Sequence, residues 1–372
     1  MNNIVFPDYN NSILNIPSSI LKHYGIEPLH TTLADLDKLL AQRPYKNVVL
    51  MVFDGMGSEI IDKHLSDNSF LKAHKLRDIT SVFPCTTTAA TTALASGLAP
   101  AESGWIGWAP YFKDKNAHIE LYTGLDYYTG QPVCPSYRAE MKFENLLNKI
   151  AGKGIKVHQL SPFADMEYGY KPESLTDLFD RVKNICNDGN RNMIAAYWHQ
   201  PDLAAHINGT DSKDVAEIMQ QIDSGLDKLR MGGVENTIII ITADHGLVNV
   251  SEDIYLNDYP EIMECLAEAP SLEMRSAALH VKPEHIADFS SKFNALFGEW
   301  FMLVPRDEYI EKFLGPGTLH PRVKEFVGDF MAIATAHRML RYKGEIEPLQ
   351  HNGHHAGLCA GEMLVPLIVV KD

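Results

Sequence analysis

The chain has 372 residues, 45% of them hydrophobic and 22% charged, which is the composition of a globular protein with a large core. Its formal net charge of −15 disfavours nucleic-acid polymers as partners, because an acidic surface gains nothing from counterion release. The sequence shows no signal peptide and no apolar stretch of membrane length, and its five cysteines have no zinc-binding or redox spacing, so we expect a cytoplasmic protein without a membrane partner.

The first part of the chain alternates apolar runs with segments of helical spacing. Strands are predicted at residues 47–53, 79–83, 155–160, 193–198 and 237–243. Helices are predicted at residues 88–96, 140–151, 174–185 and 215–229, the last with Asp211 or Ser212 as its N-cap. Strands that alternate with helices predict an α/β fold with a doubly wound, mostly parallel central sheet.

The pattern changes near residue 268, where prolines and glycines punctuate the chain. Strands are predicted there at residues 277–281, 301–304 and 330–335, and helices at 284–297 and 320–327. We therefore predict a core formed by residues 1–267 and 349–372, with residues 268–348 as a small α/β insertion or cap. The last predicted strand, 364–370, contains Pro366, which indicates an edge strand or a bulge.

Acidic and imidazole side chains recur at the carboxyl ends of the predicted strands. They are Asp54, the pair Asp202 and His206, the pair Asp244 and His245, and, before the last strand, His355. Ligand sites of open α/β sheets lie beyond these strand ends, and a mixed Asp/His set favours zinc or a similar divalent ion over calcium or magnesium. Each of these residues taken alone is equally compatible with a turn, a helix cap or a loop.

Three consecutive threonines, Thr86, Thr87 and Thr88, follow a predicted strand and open a helix. A hydroxyl at a helix N-terminus lies where backbone N–H groups and the helix dipole favour an anion. A metal ion bound to such a hydroxyl would lower its pKa and make it a nucleophile. The alternative is a threonine-rich helix cap packed on the sheet, since threonine is a common capping residue.

As a set, six segments resemble the alkaline phosphatase superfamily, and most closely its type I phosphodiesterase/nucleotide pyrophosphatase family. The segments are VVLMVFDG (48–55), FPCTT (83–87), SGLAPAESG (96–104), PDLAAH (201–206), TADHG (242–246) and GHHAG (353–357), in the family's order. The resemblance implies an alkaline phosphatase-like fold and a hydrolase that cleaves phosphoester or phosphoanhydride bonds of a small-molecule substrate. It also implies two divalent metal ions, with Zn²⁺ as the first choice and Mn²⁺ or another divalent ion as an alternative.

The resemblance also implies the roles of individual residues. One ion would be held by Asp202, His206 and His355, and the second by Asp54, Asp244 and His245, with Thr87 as nucleophile and a contact of the second ion. His354 competes with His355, but the family's Gly-x-His spacing selects His355. Thr87 would form a phosphothreonine intermediate that water hydrolyses, and its neighbours Thr86 and Thr88 stay open as alternatives.

Two departures from the family pattern bear on specificity. Trp108 stands where nucleotide-cleaving members carry an asparagine that binds a phosphoryl oxygen, and an indole N–H can donate one hydrogen bond but cannot replace an amide. The nucleophile is followed by Thr88-Ala89-Ala90 in place of the usual x-Pro-Asn segment. A sulfatase is rejected, because Cys85 lacks the proline and arginine that follow the modified residue of sulfatases.

Other activities on the same core are a phosphomonoesterase, a phosphonate hydrolase and a phosphomutase. Such enzymes bring basic residues to a dianionic phosphate, and no arginine or lysine lies inside the motifs, which favours a phosphodiester. The predicted insertion offers Arg275, Arg306 and Arg338 as possible sources of that charge. A non-catalytic metal-binding protein is disfavoured, since all six ligand positions and the threonine are present.

Overall fold

A computed structural model describes residues 3–164, 169–344 and 351–371. Its strands are β1 Asn47–Phe53, β2 Lys75–Thr80, β3 Tyr111–Phe112, β4 Ala117–His118, β5 Lys156–Leu160, β6 Gly169–Tyr170, β7 Asn192–Trp198, β8 Thr237–Thr242, β9 Val248–Asn249, β10 Glu252–Tyr255, β11 Ser271–Leu272, β12 Ser276–Leu279, β13 Phe301–Pro305, β14 Phe330–Ala334, β15 Arg338–Arg341, β16 Gly353–His354 and β17 Leu364–Lys371.

The α-helices are α1 Asn15–His23, α2 Ala34–Leu40, α3 Ser58–His64, α4 Phe70–His74, α5 Thr87–Ser96, α6 Pro100–Ser103, α7 Tyr137–Glu140, α8 Leu146–Ala151, α9 Leu175–Cys186, α10 Asp202–Asn208, α11 Lys213–Met231, α12 Pro260–Met263, α13 Ile286–Phe297, α14 Arg306–Phe313, α15 Val323–Phe326 and α16 Ala360–Met363. Short 3₁₀ turns lie at Leu256–Asp258 and Pro283–His285. Among these helices, none is both long enough and apolar enough to cross a lipid bilayer.

The core of the fold is a seven-stranded sheet in the order β2-β17-β8-β1-β7-β5-β6. All of its strands run parallel except β17, which is antiparallel to both of its neighbours. Every residue of β1 and β8 is buried, as expected for central strands that are covered on both faces. The mixed α/β fold with a large, mostly parallel central sheet is therefore confirmed.

Helices cover this sheet in two groups. Helices α1, α5 and α8 pack against one another, whereas α3, α4, α9 and α10 pack around the long helix α11. The start of α11 is fixed by Ser212, whose hydroxyl accepts a hydrogen bond from the backbone N–H of Val215 at 3.3 Å. Of the two predicted caps, Ser212 is therefore the one used, because its oxygen satisfies an otherwise free N–H of the first helical turn.

A second, four-stranded sheet is formed by β11, β12, β14 and β13, all antiparallel. Alternate residues of β14 face different clusters: Ala332 and Ala334 pack with the phenylalanines of α13, and Met331 and Ile333 pack with Phe83 and Leu358 of the larger part of the chain. This two-residue period is the mark of a sheet buried on both faces. The division of the chain at residues 268 and 348 stays a prediction.

Two predicted boundaries were wrong. The strand predicted at 79–83 is β2, Lys75–Thr80. This edge strand exposes alternate side chains, among them Leu76, which is 42% exposed, so it lacks the continuous apolar run that would have marked it. The helix predicted at 140–151 is two short helices, α7 and α8. Asn145 accepts a hydrogen bond from the backbone N–H of Leu147 at 2.9 Å and so caps a new helix inside the predicted one.

The last strand and one helix of the second sheet's region also differ from their predictions. Pro366 lies in β17, which is an interior strand, so the edge-strand alternative was wrong. The bulge alternative is right, because the register against β2 shifts between Leu367 and Ile368. The helix predicted at 320–327 forms only over Val323–Phe326.

Candidate metal centre

Neighbouring strands β8, β1 and β7 bring the predicted site residues to one edge of the central sheet. Asp54 follows β1 directly, and Asp202 is the first residue of α10, just beyond β7. The backbone N–H of Asp202 donates to the carbonyl of Asp54 at 3.0 Å. Gly55 makes this approach possible, since it has φ of +71° and any Cβ there would lie 2.8 Å from the Cβ of Asp202.

The six predicted ligands form two adjoining triads. In each triad, the potential ligand atoms lie within 4.8 Å of one another: Asp54, Asp244 and His245 form one set, and Asp202, His206 and His355 form the other. Asp202 and His206 share a face of α10, with 3.3 Å between Oδ1 and Nε2. The rings of His245 and His355 stack with their centroids 3.8 Å apart, so the two triads are in direct contact.

The three histidines of the triads are oriented in the same way. Nδ1 donates to a backbone carbonyl in each: Gly353 for His206 at 2.8 Å, Gly246 for His245 at 3.1 Å and Cys85 for His355 at 3.2 Å. This bond fixes the tautomer and leaves Nε2 free to bind a metal ion, which is the usual outer-shell arrangement of metal-binding histidine.

Each of the three aspartates contributes a buried oxygen that has no hydrogen-bond partner among the described residues: Oδ1 of Asp54, Oδ1 of Asp202 and Oδ2 of Asp244. The other oxygen of Asp54 accepts a hydrogen bond from the hydroxyl of Tyr197, a residue of β7 that the sequence did not single out. Buried carboxylate oxygens are costly when unpaired, so this arrangement fits cations that would complete both triads.

The electrostatics of the centre point the same way. Burial, together with the charges of Asp202 and Asp244, holds the pKa of Asp54 well above its ordinary value. Burial also raises the pKa of Asp244. Burial and the neighbouring histidines His245 and His206 hold the pKa of His355 well below its ordinary value, which keeps its imidazole neutral and able to bind a metal.

Among the three threonines, Thr87 is the one whose hydroxyl reaches the triads, with Oγ1 3.1 Å from Nε2 of His245. It is the first residue of α5, so the backbone N–H groups of that helix end face the same space. Thr86 turns away and donates its hydroxyl to Glu273 at 2.7 Å. The hydroxyl of Thr88 is buried without a partner.

Glu273 is a site residue that the sequence did not reveal. It comes from the second sheet's region, and its Oε1 accepts hydrogen bonds from Thr86 and, at 2.8 Å, from the backbone N–H of Trp108. Burial raises the pKa of Glu273 to about 7. Trp108 and Thr86 thus share Glu273, and the ring of Trp108 makes an edge contact with Tyr122, with 5.7 Å between centroids. The predicted substrate contact of Trp108 stays a prediction. No motif marks Glu273, because its neighbours are supplied by distant segments.

The three arginines considered as phosphate ligands are all engaged elsewhere. Arg275 is fully buried in an ion pair with Glu362 at 2.7 Å. Arg306 pairs with Asp329 at 2.6 Å, and Arg338 pairs with Glu252. Each of these guanidinium groups therefore already has a carboxylate partner.

The two triads and Thr87 lie in a part of the chain that matches a known protein family. A model of the type I phosphodiesterase / nucleotide pyrophosphatase family matches residues 48–357, from the start of β1 to the loop that carries His355. The chain belongs to this family. The six residues of the two triads and Thr87 all fall inside the matched range. The family resemblance seen in the sequence is therefore confirmed.

Curated relatives of the family match part of the chain. Bis(5'-adenosyl)-triphosphatase ENPP4 of Pongo abelii is 25% identical over 229 residues, which cover 56% of this chain and 49% of the relative. Human ectonucleotide pyrophosphatase/phosphodiesterase family member 5 is 32% identical over 119 residues, which cover 29% of this chain and 24% of the relative. The aligned part of the chain spans about half the length of the first of these relatives and less of the second.

Solved structures share the fold over nearly the whole chain. An inactive variant of murine ectonucleotide pyrophosphatase / phosphodiesterase 5 in complex with AMP superposes with a TM-score of 0.65 at 18% identity, covering 86% of this chain and 87% of its own. Phosphonoacetate hydrolase from Sinorhizobium meliloti in complex with phosphonoformate also has a TM-score of 0.65, at 16% identity, covering 86% and 89%. At these identities the likeness concerns the fold.

Proposed function

We propose that this family member is a two-metal phosphodiesterase of the nucleotide pyrophosphatase type, acting on small-molecule phosphodiesters or phosphoanhydrides. The observation that carries the proposal is the convergence of three buried carboxylate oxygens and three imidazole Nε2 atoms beside one threonine hydroxyl. A set of this composition suits Zn²⁺ better than Ca²⁺ or Mg²⁺, which prefer oxygen ligands alone. Mn²⁺ is a further candidate for the same ligands.

Asp202, His206 and His355 would hold one ion, and Asp54, Asp244 and His245, with Thr87, the other. Divalent ions bound there would supply the positive charge that favours the deprotonated hydroxyl of Thr87 and neutralises the phosphoryl oxygens. The N-terminus of α5 adds backbone N–H groups for a phosphoryl oxygen. The hydroxyl of Tyr197 would hold one carboxylate oxygen of Asp54 and leave the other for the ion.

The reaction would have two displacements at phosphorus. In the first, the Thr87 oxygen forms a bond to phosphorus, the bond from phosphorus to the leaving oxygen breaks, and the hydroxyl proton passes to solvent. In the second, water attacks the phosphothreonine, which releases a phosphomonoester and restores the hydroxyl. The leaving group takes up a proton from water, so atoms and charge balance over the cycle.

A diester is favoured over a dianionic monoester by the charges around the site. Arg275, Arg306 and Arg338 are each paired with a carboxylate, so no free guanidinium is available for a second phosphate charge among these three. Glu273 instead places a carboxyl group beside Thr86, where an ionised form would repel a dianion. Substrates with a nucleotide group are supported by the relative named as an adenosyl triphosphatase and by the related structure that contains AMP.

The test is hydrolysis by the full chain after removal of metal and reconstitution with Zn²⁺ or Mn²⁺. We expect turnover of bis-p-nitrophenyl phosphate and of a dinucleoside polyphosphate, with p-nitrophenyl phosphate and phosphonoacetate cleaved at least ten times more slowly, about 1.4 kcal/mol in transition-state discrimination. Faster cleavage of the monoester or of the phosphonate would reject the diesterase assignment. Binding of fewer than two metal equivalents at saturation would reject the two-metal centre itself.

A further inference from the structure

A third cluster of histidines overlaps the first triad. Potential ligand nitrogens of His206, His351 and His354 lie within 4.8 Å of one another. Their ring centroids form a triangle with sides of 5.0 Å. Three imidazoles converging in this way are a typical ligand set for zinc and similar transition ions, whereas Ca²⁺ and Mg²⁺ require oxygen ligands.

The nitrogens of this cluster are available. Nδ1 of His351 is buried and has no hydrogen-bond partner within residues 3–164, 169–344 and 351–371. Nδ1 of His206 donates to the carbonyl of Gly353, which leaves its Nε2 as the ligand atom. Nδ1 of His354 lies against the backbone of His355, 2.9 Å from the N–H and 3.0 Å from the carbonyl oxygen, so a ligand would meet this ring at Nε2. A buried imidazole nitrogen without a partner costs free energy unless something binds it, so the unpaired atom of His351 points independently to a ligand.

The cluster is held together by contacts of the loop with α10. The backbone N–H of Asn352 donates to the carbonyl of His206 at 2.8 Å, and its side-chain amide donates to the carbonyl of Ile207 at 2.6 Å. A Cβ on Gly353 would lie 2.5 Å from the carbonyl oxygen of Ala205, so only glycine lets the loop pack this closely. The three imidazoles are therefore positioned before any ion arrives.

His206 belongs to both the cluster and the first triad, and its single free nitrogen can bind one ion at a time. The two positions are therefore alternatives for the same ion. His351 and His206 are partly exposed, whereas Asp54, Asp244 and His245 are buried, so the histidine cluster lies toward the solvent side of the centre. Transfer inward is favoured because Asp202 adds a negative charge that the cluster lacks.

We propose that His206, His351 and His354 form a loading site for a zinc-class divalent ion. The ion then passes to the first triad, with His206 bound throughout, as His351 and His354 are exchanged for Asp202 and His355. The ligands of this site determine which metal ion enters: a solvent-side site made only of imidazoles binds transition ions and discriminates against Ca²⁺ and Mg²⁺. The loading role rests on the proposed metal centre, whereas ion binding by the three histidines does not.

The binding claim is tested where the first triad has been removed. The double variant Asp202→Asn/His355→Gln of the full chain keeps all three histidines of the cluster. Equilibrium dialysis against Zn²⁺ alone should give one more equivalent for this variant than for the same variant carrying His351→Gln. His280→Gln, which removes a histidine outside the cluster and the triads, is the matched control and should cost no equivalent. Equal zinc content with and without His351→Gln overturns the proposal.

The loading claim is tested in the otherwise unchanged chain, which avoids any loss of folding in the multiple variants. Zinc uptake by the metal-free protein is followed with a chromogenic chelator in competition. His351→Gln should slow uptake roughly tenfold while leaving the final zinc content unchanged, since only the loading site has lost a ligand. Uptake at the normal rate overturns the loading role. Failure of the two-metal centre would appear separately, as less than two equivalents in the unmodified chain.

Discussion

Arg275 and Glu362 form a fully buried bidentate ion pair between the second sheet's region and the segment that follows the His355 loop, with Nε and Nη2 each 2.7 Å from a carboxylate oxygen. The same carboxylate accepts the backbone N–H groups of Gly357 at 2.7 Å and Cys359 at 3.1 Å. The pair thereby fixes the loop that positions His355. Its loss should affect stability and metal binding together.

We expect Arg275→Met to destabilise the protein by about 3–5 kcal/mol, because it leaves the Glu362 carboxylate buried without its counter-charge. Adding Glu362→Gln should recover part of that loss, since the amide oxygen still accepts backbone hydrogen bonds. Arg306→Met is the control, because its pair with Asp329 is partly exposed and should be worth at most about 1 kcal/mol. Urea denaturation measures all four proteins, and equal losses for Arg275 and Arg306 would contradict this account.

Thr87→Ala should lower turnover of a phosphodiester by about a thousandfold or more, because the attacking oxygen is removed. Two metal equivalents should remain, since both triads are intact. Thr88→Ala is the matched control: its hydroxyl is buried without a partner, so its removal should leave the activity and the metal content in place. Full activity in Thr87→Ala would move the nucleophile to another residue.

Removal of metal should make stability depend on pH through Asp54. Burial and the charges of Asp202 and Asp244 raise the pKa of Asp54, so the folded chain holds this proton more tightly than the unfolded chain does. Its contribution to stability is present at low pH and is lost as the pH rises above the unfolded value of about 4 toward the higher folded value.

Asp54→Asn should therefore raise the melting temperature of the metal-free protein at pH 8 and change it little at pH 4. Saturating Zn²⁺ should reverse the order at pH 8, because the carboxylate then gains a cation and the amide does not. Thermal melts in chelator and in zinc measure both effects. A variant that is less stable than the unmodified chain at pH 8 without metal would contradict the assigned charge repulsion.

Glu273→Gln tests the carboxyl group that faces the threonines. Burial raises the pKa of Glu273 to about 7, so this residue is protonated at pH 5 and ionised at pH 8.5. As the pH rises through 7, Glu273 loses its proton and the folded protein loses stability, because the ionised carboxylate is buried. The amide introduced by Glu273→Gln stays neutral, so the variant does not lose this stability. The variant should be more stable at pH 8.5, on the order of 1 kcal/mol, and equal at pH 5.

Glu273→Gln should also lower the ratio of diester to monoester hydrolysis at pH 8.5, because the variant lacks a negative charge near the phosphoryl group. The ratio of kcat/KM for bis-p-nitrophenyl phosphate to that for p-nitrophenyl phosphate measures this effect. A merely structural role for Glu273 would lower both rates together and leave the ratio unchanged.

The sequence by itself determined the central strands and the positions of the candidate metal ligands. Strands β1, β7 and β8 are covered on both faces, so their sequences are continuous apolar runs. The candidate ligands Asp54, Asp202 and Asp244 come shortly after the ends of these three strands. Asp202 and His206 are four positions apart on one helix, which makes their shared face a local property. These features need no knowledge of distant contacts, so the strands are found close to their predicted residues and the six candidate ligands converge in the folded chain.

Tertiary structure alone decided what distant segments bring to the centre. Thr86 and Glu273 are 187 positions apart, and Tyr197 reaches Asp54 across 143, so neither contact leaves a local pattern in the chain. The bounds of the edge strand β2 were predicted wrongly because its exposed positions carry polar residues, so the strand shows no continuous apolar run. The sequence did not single out His351, and it named His354 only as a competitor of His355; the packing of the loop on α10 places both beside His206. Local hydrophobic periodicity therefore predicts the central strands and, at their ends, the candidate ligands. The residues around these ligands, such as Glu273 and Tyr197, come from distant parts of the sequence, so only the folded structure shows them.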